Sequence, residues 1–235
     1  MTEINVDATC TEDGSYDSVV YCTVCGEEIS RETVTVPALG HDWQEDGSCS
    51  RCDEKQDVPT VNPFVDVPED SFYIDPVLWA VEEGITTGLP PTTFGPSLYC
   101  NRAQVVTFLW RVAGEPEVDA ENPFVDVTET DFYYKAVLWA YENDITTGID
   151  DTHFNPYGDC NRAQVITFLW RAEGEPTSGA EVTFPDVPAN AFYYNAVAWA
   201  VENGITTGLD NGTFGPLEIC NRAQVVTFLY RVYAE

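Results

Sequence analysis

The stretch Cys100-Asn-Arg-Ala-Gln104 decides the fold, because the same five residues occur three times at a fixed distance. They return at 160–164 and at 220–224, so that each copy begins 60 residues after the one before it. A fixed period over three copies indicates one structural unit used three times. A site repeated three times on one scaffold favours binding of something repetitive over catalysis.

Each copy predicts two helices joined by a loop. In the first copy, apolar residues from Phe72 to Trp79 fall at helical spacing, and Gly84 is suited to end that helix. Asn101 and Gln104 form a capping box in front of an apolar stripe, so a second helix begins there. Since so short a pair cannot bury both faces alone, three pairs must pack together. The sequence therefore predicts a mostly α fold in which three helix–loop–helix repeats form a trefoil or a short array.

The first 61 residues differ in composition from the rest and predict a separate, small β-rich domain. We assign 1–61 to this domain and 62–121, 122–181 and 182–235 to the three repeats. Residues 29–36 alternate in the manner of a strand. A domain of about sixty residues has a core too small to be stable without some further constraint.

The cysteines of this domain predict that constraint. Four of them form two Cys-x-x-Cys pairs that resemble a zinc ribbon, with a structural zinc ion held by Cys22, Cys25, Cys49 and Cys52. Two disulfides are the alternative, because a chain that works outside the cell allows them. Cys10 and His41 are spare candidate ligands.

The charge of the chain excludes several classes of partner. Forty acidic and ten basic residues give a net charge of −30, which repels nucleic acid and anionic lipid. No run of about 18 apolar residues is present, so we expect no membrane-spanning helix. The first residues lack a basic stretch and an apolar core, so we expect no signal peptide there. His41 and His153 stand far apart without partners in the sequence, which argues against a hydrolase.

Arginines of the repeats fall at two positions of the second helix. Those in the first turn oppose the helix dipole, which leaves two interpretations open. In the first, they form ion pairs with an aspartate at a fixed position of the repeat or with a neighbouring loop. In the second, they bind a carboxylate or phosphate at the start of the helix. These residues are Arg102, Arg162 and Arg222, with Asp66, Asp126 and Asp186. The arginines of the last turn, Arg111, Arg171 and Arg231, are predicted to complement the dipole and bond the last carbonyls of the helix.

Three further cysteines open the repeated stretch. Cys100, Cys160 and Cys220 are predicted to be small buried residues at the helix entry. A metal ion on the threefold axis is the alternative.

The combined motifs resemble the S-layer homology domain. The resemblance rests on Phe-x-Asp-Val, an aromatic pair, a helix ending before Gly-Ile-x-x-Gly, Phe-x-Pro and a Thr-Arg-Ala-Glu-like word, and it covers about 62–235 in three copies. Here asparagine replaces threonine and glutamine replaces glutamate in that word, which removes a negative charge beside each arginine.

This resemblance implies a pseudo-threefold trefoil, a three-pronged helical assembly that anchors surface proteins non-covalently to the bacterial cell wall. The implied partner is a secondary cell wall polysaccharide, often pyruvylated, and the implied location is extracellular. The chain is expected to be monomeric, with internal threefold symmetry. A structural protein–protein assembly module of a surface layer is the alternative. The binding grooves are implied to use the arginines and aspartates named above, the glutamines of the word and tyrosines that stack on sugars: Gln104, Gln164, Gln224, Tyr73, Tyr133 and Tyr193.

Overall fold

The structure is a computed structural model that describes residues 2–44, 47–56, 61–90 and 92–234. The chain divides into two units, Met1–Thr60 and Val61–Glu235. Within the described ranges, none of the helices combines the length and the apolar character needed to cross a bilayer. The boundaries between the three repeats stay predictions.

The first unit carries one antiparallel sheet of three strands in sequence order. The strands are β1 (Thr2–Val6), β2 (Gly14–Tyr21) and β3 (Glu28–Val36). The predicted strand at 29–36 is therefore confirmed. Asp17 on β2 accepts hydrogen bonds from Arg31 and Thr33 on β3, both at 2.7 Å. These side-chain contacts fix the register of the central pair of strands.

The second unit is helical and repeats one pattern three times, as predicted. Each repeat contributes a first helix of nine residues and a second helix of eleven or twelve. The helices are α1 (Ile74–Glu82), α2 (Arg102–Val112), α3 (Tyr134–Glu142), α4 (Arg162–Ala172), α5 (Tyr194–Glu202) and α6 (Arg222–Tyr233).

The second helix of each repeat begins where its capping box predicts. The Asn101 side chain accepts a hydrogen bond from the Gln104 N–H at 2.9 Å, and the Gln104 side chain accepts one from the Asn101 N–H at 3.1 Å. Both bonds recur in α4 and α6. The first helix ends as predicted, since it stops at Glu82 and Gly84 has a φ of 69°. Gly88, in the turn that follows, has a φ of 75°, a conformation that favours glycine.

The first helix begins later than its periodicity predicts. The chain forms a turn before α1, where the Ile74 N–H donates to the Ser71 carbonyl at 3.2 Å. Phe72 therefore lies outside the helix and is 69% exposed. Apolar spacing alone did not distinguish this turn from a first helical turn, because both place residues three apart on one side.

Helices of consecutive repeats pack together and close the trefoil. Helix α2 packs against α3, α4 against α5 and α6 against α1, while α2, α4 and α6 meet one another. The backbone at the cysteines closes a ring: Cys100 N–H donates to the Cys220 carbonyl, Cys160 to Cys100 and Cys220 to Cys160, at 3.0–3.1 Å. All three thiols are fully buried, as predicted. The pseudo-threefold arrangement follows from this ring of backbone hydrogen bonds and from the packing of each second helix against the first helix of another repeat.

Candidate functional site

The arginine that begins each second helix reaches from its own repeat into the next one. Arg102 Nε donates to the Phe154 carbonyl at 2.9 Å, and Nη2 lies 3.5 Å from the Thr146 hydroxyl. The same bonds join Arg162 to Phe214 and Thr206, and Arg222 to Phe94 and Thr86. The three arginines are only 3–4% exposed. The sites are therefore interfaces between repeats, with the third repeat closing onto the first.

Aromatic rings surround each guanidinium. The Arg102 guanidinium carbon lies 4.8 Å from the centre of the Phe154 ring and 5.4 Å from that of Phe168. Equivalent pairs surround Arg162 and Arg222. Burial lowers the pKa of all three guanidinium groups, but arginine stays charged in proteins. Each site thus holds a cation that is stabilised by carbonyl and ring contacts.

The aspartate of Phe-x-Asp-Val holds the same loop from the other side. Asp126 accepts hydrogen bonds from the N–H of Phe154 at 2.9 Å and of Asn155 at 2.8 Å. Asp66 and Asp186 do the same at 94–95 and 214–215. The described residues place no carboxylate within ion-pair distance of Arg102, so the predicted ion pair, with this aspartate or with a neighbouring loop, was wrong. The arginine does reach a neighbouring loop, but it binds a backbone carbonyl and a hydroxyl there. The arginine and the aspartate therefore bind the same peptide group, the arginine at its carbonyl and the aspartate at its N–H. Together they form a clamp on the loop.

The remaining site residues of the repeats lie around this clamp. Gln104, Gln164 and Gln224 complete the capping boxes, so their amides are engaged with backbone. Tyr133 is 2% exposed, whereas Tyr73 and Tyr193 are half-buried. The ring of Tyr133 packs edge-on against Tyr157 at 5.9 Å. Tyr133 therefore belongs to the core, and its two counterparts are partly accessible.

Exposed phenylalanines stand beside these tyrosines in all three copies. Phe72, Phe132 and Phe192 are 66–69% exposed and contact the neighbouring tyrosine edge-on at 5.0–5.1 Å. Sequence reasoning missed them because it placed Phe72 on the buried face of the first helix. The signal that could have found them is the aromatic pair itself, since two adjacent residues cannot both face one core.

Two kinds of groove lie near these residues. One, of about 460 Å³, is lined chiefly by aromatic and aliphatic side chains, including Trp110, Phe132, Tyr134, Lys135 and Leu138. A smaller counterpart of about 310 Å³ lies one repeat further on, at Trp170, Tyr194 and Ala198. The other kind, of about 610 Å³, is polar and acidic, and its lining residues include Tyr141, Glu142, Asp144, Thr146, Thr147 and Asp151. Thr146 joins this acidic groove to the Arg102 site.

The arginines of the last helical turn make a contact other than the predicted one. Arg111 Nη1 donates to the Ile85 carbonyl at 2.8 Å, and Arg171 and Arg231 reach Ile145 and Ile205 in the same way. These carbonyls belong to the loop after the first helix. The prediction that they bond the last carbonyls of their own helix was wrong, because the loop lies within reach of the long side chain.

In the amino-terminal unit, three cysteines and one histidine converge. The ligand atoms of Cys10, His41, Cys49 and Cys52 all lie within 4.8 Å of one another, a group that could hold a metal ion. Cys49 and Cys52 were predicted ligands, and the spare candidates Cys10 and His41 complete the group.

The other predicted pair, Cys22 and Cys25, is not part of this group. It lies at the turn between β2 and β3, where the Gly26 N–H donates to the Cys22 carbonyl at 2.9 Å. The structure thus groups Cys49 and Cys52 with Cys10 and His41, and the residues that hold a metal ion stay a prediction. Sequence spacing paired the two Cys-x-x-Cys motifs with each other, but the hairpin holds the first of them at its own turn.

The thiols of the converging group differ in acidity. Burial raises the pKa of Cys10 to about 11, with a further contribution from hydrogen bonds to Cys52 and Cys49. The pKa of Cys49 is lowered to about 6: burial opposes ionisation, but the N–H groups of Arg51 and Asp42 outweigh it. Charge on Cys49 is thus stabilised by backbone dipoles before any ion is considered.

Comparison with known proteins gives one family. The sequence profile of the S-layer homology domain matches residues 63–106, 123–166 and 183–226. An endoglucanase of Bacillus sp. (strain KSM-635) is 33% identical over 111 residues, 47% of this chain and 12% of that protein. A cell surface protein of Thermoanaerobacter kivui is 33% identical over 117 residues, 48% of this chain and 15% of that protein.

A third relative matches over a longer stretch. The cellulosome-anchoring protein of Acetivibrio thermocellus is 24% identical over 144 residues, 59% of this chain and 32% of that protein. The chain therefore spans between about an eighth and a third of the length of these relatives. The profile matches more than half of the chain and falls on the three structural repeats. The chain belongs to the S-layer homology family and carries three of its domains in tandem.

Proposed function

We propose that the repeat unit anchors a surface protein non-covalently to the bacterial cell wall by binding an anionic secondary cell wall polysaccharide. The observation that carries this proposal is the threefold repetition of one arginine site, each built from two consecutive S-layer homology domains. A polymer of repeating sugars can occupy equivalent sites together, and each bound site raises the effective concentration at the next. The family assignment indicates a location outside the cell, at the wall or surface.

The arginine sites leave part of each cation for a ligand. Nε and Nη2 of Arg102 are engaged, whereas Nη1 has no hydrogen-bond partner among the described residues. A guanidinium edge suits a carboxylate, so we assign the carboxylate of a pyruvylated sugar to Arg102, Arg162 and Arg222. The acidic groove lies beside this site at Thr146, and its carboxylates are suited to accept hydrogen bonds from sugar hydroxyls. The aspartates and glutamines act as supports: Asp66, Asp126, Asp186, Gln104, Gln164 and Gln224.

Aromatic side chains provide the second element of sugar recognition. Phe132 and Tyr134 line the groove that Trp110 closes, and their flat faces suit the apolar faces of sugar rings. Tyr73 and Tyr193, which are half-buried, are assigned the same role, whereas the buried position of Tyr133 favours packing.

The proposal assigns binding and not catalysis to this chain. Endoglucanase is the name of a relative that this chain matches over only 12% of its length. The remaining length of such a protein has room for its own catalytic domain. An anchoring module shared by enzymes and surface proteins accounts for both kinds of relative.

For the amino-terminal unit we propose a structural role supported by zinc. The converging cysteines and histidine support this proposal, and their coordination is argued in the next subsection.

A sedimentation assay with cell-wall sacculi tests the anchoring proposal. Sacculi are used intact, after removal of the non-peptidoglycan polymer, and after mild removal of pyruvate from the polymer. The chain is expected to sediment only with intact sacculi. Binding to stripped sacculi would identify peptidoglycan as the partner, and equal binding to pyruvate-free sacculi would refute the carboxylate assignment. Binding to none of them would favour the protein–protein assembly module.

Variants of the exposed phenylalanines locate the contact. Replacing Phe72, Phe132 and Phe192 together with alanine should weaken sedimentation at least about tenfold, because each substitution removes an aromatic contact worth about 1 kcal/mol. Leu217→Ala is the matched control, since Leu217 is also exposed, at 79%, and is absent from the linings of the three grooves described. Equal weakening in both would show a nonspecific effect of removing surface apolar area.

A further inference from the structure

The amino-terminal unit shows few buried apolar side chains among residues 6–44 and 47–56, whose burial the structure describes. In these two ranges they are Cys10, Val19 and Cys49. Two of these three are thiols of the converging group. A unit of this size with so few buried side chains normally depends on a disulfide or a metal ion.

Two distances within the group are close to those of tetrahedral metal coordination, and all of its ligand atoms lie within 4.8 Å of one another. Cys10 Sγ lies 3.9 Å from Cys49 Sγ, and Cys52 Sγ lies 3.3 Å from His41 Nδ1. Zinc bonds of about 2.3 Å to sulfur and 2.0 Å to nitrogen place such atoms roughly 3.5–3.8 Å apart at tetrahedral angles. A disulfide needs sulfurs about 2.05 Å apart, and all eight cysteines of the chain are free. Three thiols would also leave one unpaired.

Backbone hydrogen bonds prepare the group for negative charge. The N–H groups of Asp42 and Arg51 both donate to Cys49 Sγ at 3.4 Å. Such donors around a sulfur are the outer contacts that stabilise a bound thiolate.

Two chain segments are fastened together at this point. The N–H of Leu39 donates to the Thr9 carbonyl at 2.8 Å, and that of Gly40 to the Cys10 carbonyl at 3.0 Å. The His41 ring stacks on Trp43 with their centres 4.5 Å apart, which limits its rotation and directs Nδ1 towards Cys52. The ligand positions are therefore set by contacts that do not require the metal.

We propose that the amino-terminal unit binds one zinc ion through the thiolates of Cys10, Cys49 and Cys52 and the Nδ1 atom of His41. Four protein ligands close the coordination shell, so the ion is structural and has no open position for substrate. The dithiol of Cys22 and Cys25 lies outside the shell. This inference deepens the zinc part of the proposed function and is independent of wall binding, so its failure leaves the anchoring proposal untouched.

Metal stoichiometry of the full chain, produced without a histidine tag, tests the proposal. Native mass spectrometry after zinc addition should show one zinc ion per chain. Cys10→Ser should weaken zinc binding by more than about 100-fold, since even outer contacts are worth 10–100-fold. The matched control is the double variant Cys22→Ser/Cys25→Ser, which should keep one zinc ion at unchanged affinity. A wild-type chain without zinc, or loss of zinc only in the double variant, would overturn the proposal.

An alkylation experiment on the wild-type chain decides the ligand set without any variant. With zinc bound, iodoacetamide should label Cys22 and Cys25, while Cys10, Cys49 and Cys52 stay unlabelled. A chelator should then make the latter three reactive. Labelling of Cys10 in the zinc-loaded chain, or protection of Cys22 and Cys25 that the chelator removes, would contradict the assignment. This readout remains valid if Cys10→Ser fails to fold.

Discussion

Each of the two units of this chain is stabilised by a different kind of interaction. In the repeat unit, large side chains such as Phe94, Phe154 and Phe214 are fully buried in one continuous core. Among residues 6–44 and 47–56 of the amino-terminal unit, the buried apolar side chains are Val19 and two of the thiols proposed to hold zinc. A chain with enough apolar residues folds by burying them, whereas a short β-rich segment with few of them depends on bonds to an ion.

Removal of zinc should give the largest difference between the two units. A strong chelator is expected to abolish hydrogen-exchange protection in β2 and β3, because binding free energy at a structural zinc site is folding free energy. Protection of α2, α4 and α6 should not change, since their core contains no proposed metal. Equal loss of protection in both units would break the comparison.

Loss of a clamp arginine should give the next largest effect. Arg222→Ala leaves the Phe94 carbonyl without its buried donor and removes the cation from two rings. We expect the free energy of unfolding of the repeat unit to fall by about 3 kcal/mol, measured by urea denaturation. For this reason an arginine-to-alanine variant changes stability as well as wall binding and cannot test binding alone.

A control variant distinguishes this clamp from the other arginine of the same helix. Among the residues that the structure describes, Arg231 makes one hydrogen bond, to the Ile205 carbonyl, and its side chain is exposed at the surface. Arg231→Ala should therefore cost about 1 kcal/mol. Equal costs for the two variants would show that burial of the first-turn arginine does not set its contribution.

The three buried thiols at the centre of the repeat unit should make its stability sensitive to high pH. Burial raises the pKa of Cys100 and of Cys220 to about 12 and also raises that of Cys160. The folded state therefore binds these protons more tightly than the unfolded state does. The contribution of these thiols to the free energy of unfolding is fully present below about pH 9. Above that pH the free energy of unfolding should fall by about 1.4 kcal/mol per pH unit for each thiol. Replacing all three cysteines with alanine should make this slope shallower, and an unchanged slope would refute the account.

The capping box should give the smallest effect. Asn161→Ala removes the side chain that accepts the Gln164 N–H at 2.9 Å. We expect a loss of about 1 kcal/mol in the free energy of unfolding, and only a few tenths for Asn161→Gly. A denaturation midpoint that is equally low for both variants would show that the side-chain bond is not what the cap contributes.

The sequence predicted the repeat unit well because its signals are local. A capping box and a glycine turn act within a few residues, and the period of 60 exposes them three times. The site was predicted less well. The arginine, the aspartate and the loop peptide they share come from positions such as 102, 126 and 154, and no local pattern shows that the arginine bonds a carbonyl of the next repeat.

The proposed zinc ligands show the same limit in the amino-terminal unit. Paired Cys-x-x-Cys motifs favoured one ligand set, but the hydrogen bonds between 9–10 and 39–40 bring Cys10 and His41 to the second motif instead. Sequence separation between Cys10 and Cys49 is 39 residues. Such a contact depends on how the strands fold back, which spacing alone does not fix.

Hydrogen exchange of the full chain with and without soluble wall polymer tests the central claim most directly. The account predicts that polymer slows exchange in the repeat unit, at the loops around 141–151 and their counterparts near 81–90 and 201–211, and leaves β2 and β3 unchanged. Polymer prepared without pyruvate should have no effect. Protection confined to the amino-terminal unit, or none in either unit, would contradict the assignment of anchoring to the three S-layer homology domains.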